Sequence, residues 1–197
     1  IDEAAAEIAA SGGTAIAISG DITDGEFVER LFAEVRERYG QLDVLVNNAG
    51  AGHFGSAFDM DVADFRADLE LNVVAAFACA QQAIRIMRDT GNRGKVINIG
   101  SVRSHWTEGG DAGAYNASKF ALRGMTESIA RELHGSGSGI AVGLICPGIV
   151  DTPLTNPNGE PRPDWLVPED IARAVVHAAT APEGVNVFDT IVIPLSQ

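Results

Sequence analysis

Basic residues are scarce. Fourteen lysines and arginines stand against twenty-seven aspartates and glutamates, a net charge of −13. Such a chain repels a phosphate backbone and an anionic membrane surface alike, so neither nucleic acid nor a membrane is an expected partner. Cysteine is scarcer still: Cys79 and Cys146 both sit in apolar runs, without metal-like or redox spacing. They read as core filling in a reducing, cytoplasmic compartment. The four histidines, His53, His105, His134 and His177, are scattered and support neither a zinc site nor a histidine-based triad. No apolar run reaches the roughly 18 residues needed to span a bilayer, and no signal-peptide pattern is present. The chain therefore reads as soluble.

What is present is one good core. Of 197 residues, 46% are hydrophobic, enough for a single domain over residues 1–197 and with no sign of a second. The opening "IDEAAAEIAASGG" starts at Ile1 and reads as the back half of an amphipathic helix ending at Gly12 and Gly13. The domain is thus expected to begin in mid-fold. Short apolar runs at residues 14–19, 43–47, 95–99, 140–145 and 189–193 predict strands. Helical patterns alternate with them at residues 24–39, 63–90, 113–134 and 168–179. The strands are continuous apolar runs, the mark of a parallel sheet covered on both faces. The expected class is α/β, a doubly wound Rossmann-type sheet. A Pro-rich stretch, residues 152–165, reads as a loop.

In such sheets ligands bind beyond the carboxyl ends of the strands. Those ends carry "GDIT", "NNAGAGHFG", "GSVRSHW" and "CPGIVDTP", all small, polar or glycine-rich. Gly50, Gly52 and Gly55 match G-x-G-x-x-G after a strand, the pattern of a dinucleotide phosphate loop. Asp59, Asp61 and Asp64 follow, however, and put negative charge where an anion would sit, so a plain turn is the better reading. A second feature is "AYNASK", with Tyr115 and Lys119 one helical turn apart on one face.

Taken in order, "NNAG" at residues 47–50, "LNVVA" with Asn72, "INIGS" ending in Ser101, "YNASK" and "PGIVDTP" from Pro147 resemble the short-chain dehydrogenase/reductase family over essentially the whole chain. The resemblance implies a hydride transfer between a nicotinamide cofactor and a small carbonyl or alcohol substrate. It implies Asn72, Ser101, Tyr115 and Lys119 as the catalytic set, with Asn72 in a locally opened helix that holds a proton-relaying water. Lys119 would also hold the nicotinamide ribose. The chemistry agrees: an alkoxide needs a proton donor, free tyrosine near pKa 10 is a poor one, and a nearby ammonium and a helix N-terminus are expected to pull that pKa down.

One departure concerns Ser101, which stands fourteen residues before Tyr115 where the family has thirteen, leaving Ser104 as the alternative. The implied cofactor contacts are Asp21 and Ile22 at the adenine, Asn48, Ala49 and Gly50 at its ribose, and Pro147, Gly148, Ile149 and Thr152 at the nicotinamide. Phe54, Arg103, His105, Trp106 and Leu154 are candidates for the substrate pocket. The closing residues resemble NADP-dependent members acting on small hydroxy acids or alcohols, so NADP is expected, with NAD open. A homodimer or homotetramer is implied through the helices at 63–90 and 113–134. The alternative is a non-catalytic, nucleotide-sensing or dimerisation relative.

The family's opening strand, its T-G-x-x-x-G-x-G turn and its second strand have no counterpart in the sequence. Two strands missing between residues 14–19 and 43–47 leave roughly 14 Å between those segments. They are therefore expected to lie apart, with further chain between them, and a direct hydrogen-bonded pairing would favour the non-catalytic reading.

Overall fold

The computed structural model describes residues 1–107 and 110–197. Helix α1 (Asp2–Ala10) is followed by α2 (Gly25–Tyr39), strand β1 (Val44–Asn47), α3 (Val62–Leu69), a π-helical turn (Glu70–Ala75) and α4 (Ala76–Thr90). Then come β2 (Lys95–Ile99), a 3-10 turn (Val102–Ser104), α5 (Gly113–Ser136), β3 (Ala141–Pro147), α6 (Pro168–Ala179) and β4 (Asp189–Val192). The strands run parallel in the order β1-β2-β3-β4, with Val44 beside Lys95, Lys95 beside Ala141, and Leu144 beside Asp189. This is the expected α/β class.

Alternation across the pleat sorts the core into two layers. Val96 and Val142 pack with α2 and α4 through Val28, Phe32, Ala83 and Met87. Leu144 and Cys146 meet Ala76 and Leu122 of α4 and α5 on that same face. Ile97 and Ile145 point the other way, onto Ala178 of α6. Both sheet faces are thus covered, and both cysteines are buried as expected. The helices end where the sequence lets them: Asp24 and Asp61 accept backbone N–H bonds at N-termini, and Gly40, Gly91 and Gly137 turn left-handed after C-termini.

Two expectations need correction. Residues 14–19 form no strand, because a strand exists only through a hydrogen-bonded neighbour and, among the described residues, this run has none. It does lie unpaired with β1, as expected. The helix expected over residues 63–90 is split into α3 and α4 by the π-helical turn at Glu70–Ala75, which is the local opening around Asn72 that the resemblance implies. Among the described residues, no helix is long and apolar enough to cross a membrane.

Candidate active site

The carboxyl ends of β1, β2 and β3 converge on one cavity of about 480 Å³. Asn48 and Gly50 follow β1, Gly100 and Ser101 follow β2, and Pro147 and Gly148 close β3. Tyr115 and Lys119 enter from the first turns of α5, and Ile171, Ala172, Val175 and Val176 of α6 form the facing wall. A second chamber of about 350 Å³ shares Ser101, Tyr115, Gly148, Leu154 and Thr155 with the first. Its remaining walls include Phe54, Val102, Arg103 and Ile149. Tyr115 therefore stands at the junction of two chambers.

Ser101 leaves β2 extended and caps the following 3-10 turn, its Oγ accepting from Arg103 N at 3.2 Å. Its side chain is hydrogen-bonded to Tyr115. Ser104, fully buried, instead receives the Ser101 N–H on its Oγ at 3.2 Å. The fourteen-residue spacing is thus absorbed by the loop, and Ser101 rather than Ser104 meets the tyrosine. Part of that loop, Glu108 and Gly109, lies outside the described residues.

Lys119 is buried, and its Nζ donates to Ile99 O at 3.0 Å and lies 5.6 Å from the Tyr115 ring centroid. Burial lowers its pKa to about 8. Tyr115 does not follow the expected downward course: burial pushes it up, and the Ser101 hydrogen bond and the Arg103 charge offset this only in part. Desolvation acts on both partners, raising Tyr115 and lowering Lys119, and for Tyr115 it outweighs the neighbouring groups that pull the other way.

Asn72 is buried, and its Nδ2 donates to Ala51 O at 2.8 Å and Ser118 Oγ at 2.9 Å, while Oδ1 accepts from Ala51 N at 3.0 Å. It ties the loop after β1 to α5, one residue from Lys119. Asn47 is likewise structural, bonding Ala76 O and Asn98 Oδ1 at 3.0 and 2.9 Å. Asp21, Ile22 and Ala49 line neither chamber. The Asp21 carboxylate holds Thr23 N and Oγ1 at 2.8 and 2.7 Å, bonds that lower its pKa, and Ile22 packs on the core around Val28 and Phe32. Ile149 is in the second chamber, its N–H on Gln197 Oε1 at 3.0 Å, and Thr152 is in the first. Gln197 also crowds Gly148, where a Cβ would stand 2.2 Å from its Oε1.

Of the expected substrate residues, Phe54, Arg103 and Leu154 line the second chamber, but His105 and Trp106 line neither. His105 turns away because Asp189 on β4 holds its Nε2 at 3.1 Å. No two histidines meet among the described residues, but His105, Cys146 and Asp189 bring ligand-type atoms within 4.8 Å of one another. These donors are spent on each other. Cys146 Sγ faces Asp189 Oδ1 at 3.8 Å, Arg123 Nε takes Oδ2 at 3.2 Å, and burial, with the Asp189 charge, pushes the thiol up to about 12. The sequence also gave no sign of the α6 wall, or of the buried Asp68, which His53 Nδ1 meets at 2.7 Å.

The first chamber sets amine, hydroxyl and amide groups of Lys119, Tyr115, Thr152 and Asn48 around apolar walls of Val46, Ile99, Pro147, Val150 and Ile171. That donor set fits a flat ring bearing a carboxamide joined to a sugar with free hydroxyls, the nicotinamide riboside half of a dinucleotide.

Comparison with known proteins agrees. Residues 1–163 match a family model described as short chain dehydrogenase. A 3-oxoacyl-[acyl-carrier-protein] reductase from Synechocystis sp. is 32% identical over 188 residues, covering 92% of this chain and 74% of the relative. The crystal structure of acetoin dehydrogenase from Enterobacter cloacae aligns with a TM-score of 0.82 at 33% identity, covering 97% and 78% of the two chains. A metagenomic short-chain oxidoreductase in complex with NADP aligns at 0.83 and 28% identity, over 98% and 80%.

Proposed function

The chain belongs to the short-chain dehydrogenase family, and from that premise we propose that it is an NADP-dependent oxidoreductase of carbonyl compounds and secondary alcohols, with NAD as the alternative cofactor and Tyr115 as general acid and base. The observation that carries this reading is the meeting of Ser101, Tyr115 and Lys119 in one cavity at the carboxyl edge of the sheet. A non-catalytic relative would have no use for it. The NADP bound to the metagenomic relative supports the choice of cofactor.

Bound NADPH would supply the hydride. Lys119, Pro147, Gly148, Ile149 and Thr152 would hold its nicotinamide half; Asn48 and Gly50, expected at the adenine ribose, share the first chamber with Lys119 and Thr152 and would lie nearer that half, while Asp21, Ile22 and Ala49 would meet its far end. Ser101 holds the substrate oxygen beside Tyr115. In reduction the phenol gives its proton to that oxygen as negative charge develops there, and in oxidation the phenolate takes the proton back. Asn72 holds the loop and Ser118 in place, and the π-helical turn frees backbone carbonyls for a relaying water. The protein is expected to oxidise NADPH in the presence of acetoin or a short 3-oxoester, followed by absorbance. Absence of both dinucleotide binding by calorimetry and turnover on a ketone panel overturns the reading.

Assembly belongs to the same proposal. Val74, Phe77 and Phe120 on the π-helical turn, α4 and α5 are 50%, 44% and 42% exposed, an apolar face suited to a second copy of the chain. Light scattering at micromolar concentration is expected to give a dimer or tetramer, and Phe77→Glu with Phe120→Glu to lower the mass. A strict monomer in the parent protein refutes this.

A further inference from the structure

Two buried side chains on one side of the α3 segment grip the same loop. Asp68 lies in the last turn of α3 and Asn72 in the π-helical turn four residues on. Asn72 holds both backbone groups of Ala51. Asp68, 0% exposed, accepts His53 N at 3.2 and 3.1 Å on its two oxygens and His53 Nδ1 at 2.7 Å. Two residues on, Gly55 N donates to Asp111 O at 2.7 Å, at the foot of α5. Three anchors within five residues make this loop a fixed roof.

Tyr115 lies beneath it. The Phe54 ring is 5.6 Å from the Tyr115 ring, centroid to centroid, and Gly52 is so near that a Cβ there would stand 2.8 Å from Tyr115 Cδ2. A buried carboxylate is costly unless its oxygens are satisfied. This one is satisfied by the roof rather than by its own helix, so keeping it in the core fixes the roof's position. The bond to Asp68 raises the His53 pKa, and Asp64 adds to this from 3.9 Å.

The groups acting on Tyr115 are the Ser101 hydroxyl, the Arg103 guanidinium, Asp68 and Cys146, and those acting on Lys119 are Cys146 and Asp68. The Cys146 thiol, at about 12, is uncharged near neutrality. Asp68 is thus the anion common to both members of the proton-transferring pair.

We propose that Asp68 is a positioning residue for the reaction: through His53 it straps residues 52–54 over Tyr115 and so fixes where the Tyr115 ring stands. This rests on Tyr115 being the acid and base. The test measures alcohol oxidation by the protein against pH. Asp68→Asn keeps an acceptor for His53 but no charge, so the acid limb of kcat/KM is expected to move to lower pH by about 0.5 unit or more. The His53 titration, followed by NMR, is expected to fall back toward 6.5. His53→Ala keeps the charge and the backbone bond to Asp68 and removes the Nδ1 bond, so the strap is loosened and kcat is expected to fall about fivefold or more with the limb in place. An unmoved His53 titration together with wild-type kcat in Asp68→Asn overturns the proposal. Where Asp68→Asn gives no folded protein, His53→Ala decides: wild-type kcat and KM overturn the strap, and the fivefold loss supports it. Tyr115→Phe, measured alongside, separates the two readings, because full activity there removes the acid-base assignment itself, whatever the Asp68 variants do.

Discussion

Tyr115→Phe is expected to lower kcat by about a thousandfold, within the range of a lost general acid and base, while NADPH binding changes by no more than about twofold. The asymmetry follows from where the hydroxyl points. The ring is held by the roof at Phe54 and by α5, contacts that phenylalanine keeps. Only the bond to Ser101 and the transferable proton are lost. Because burial pushes the Tyr115 pKa up, the neutral phenol is the resting form and reduction starts with its proton in place. Oxidation needs the phenolate, so its rate is expected to climb with pH until the phenol titrates. Steady-state rates in both directions and a calorimetric titration with NADPH test this together. A variant that keeps more than a few per cent of kcat removes Tyr115 from the role.

The four strands and helices α2, α5 and α6 were legible in the sequence because each carries its own pattern: continuous apolar residues for buried strands, a 3.6-residue period and glycine stops for helices, while α3 and α4 read as one helix. Residues 14–19 have the same apolar look, but a strand is a relation between two segments, and one run cannot reveal whether its neighbour is there. The site was legible as a list of residues and not as a field. Tyr115 and Lys119 at helical spacing announce a pair, yet the sign of their shifts depends on how much water the fold removes, which spacing does not encode. Asp68 was hidden for a related reason. With Asp59, Asp61 and Asp64 just before it, it reads as one more solvent-facing carboxylate, and only the tertiary fold turns it inward to His53. His105 and Asp189, 84 residues apart, could be joined only by the packing of β4 beside β3.

Lys119→Met is expected to make the protein more stable and a poorer enzyme. The ammonium is buried against Ile99 O, and its pKa falls from 10.5 to about 8, so folding works against its charge. The linkage sign follows: the native state binds fewer protons than the unfolded chain between those values, so stability is full above 10.5 and is lost as pH falls through about 8. Methionine, similar in length and uncharged, is free of that penalty. The melting temperature at pH 7 is expected to rise by about 2 °C or more, with the gain shrinking as pH approaches 10. Catalysis moves the other way. Removing the cation beside Tyr115 and the donor facing the first chamber is expected to cost about a hundredfold in kcat and about tenfold in NADPH affinity. It should also abolish any limb of the reduction profile that falls away as pH rises through about 8. Scanning calorimetry at pH 7 and 10, with rates from pH 6 to 10, measures all of this. A lower melting temperature at pH 7 means that the bond to Ile99 O outweighs the burial of the charge, and an unchanged pH–rate profile removes Lys119 from the proton-transferring pair.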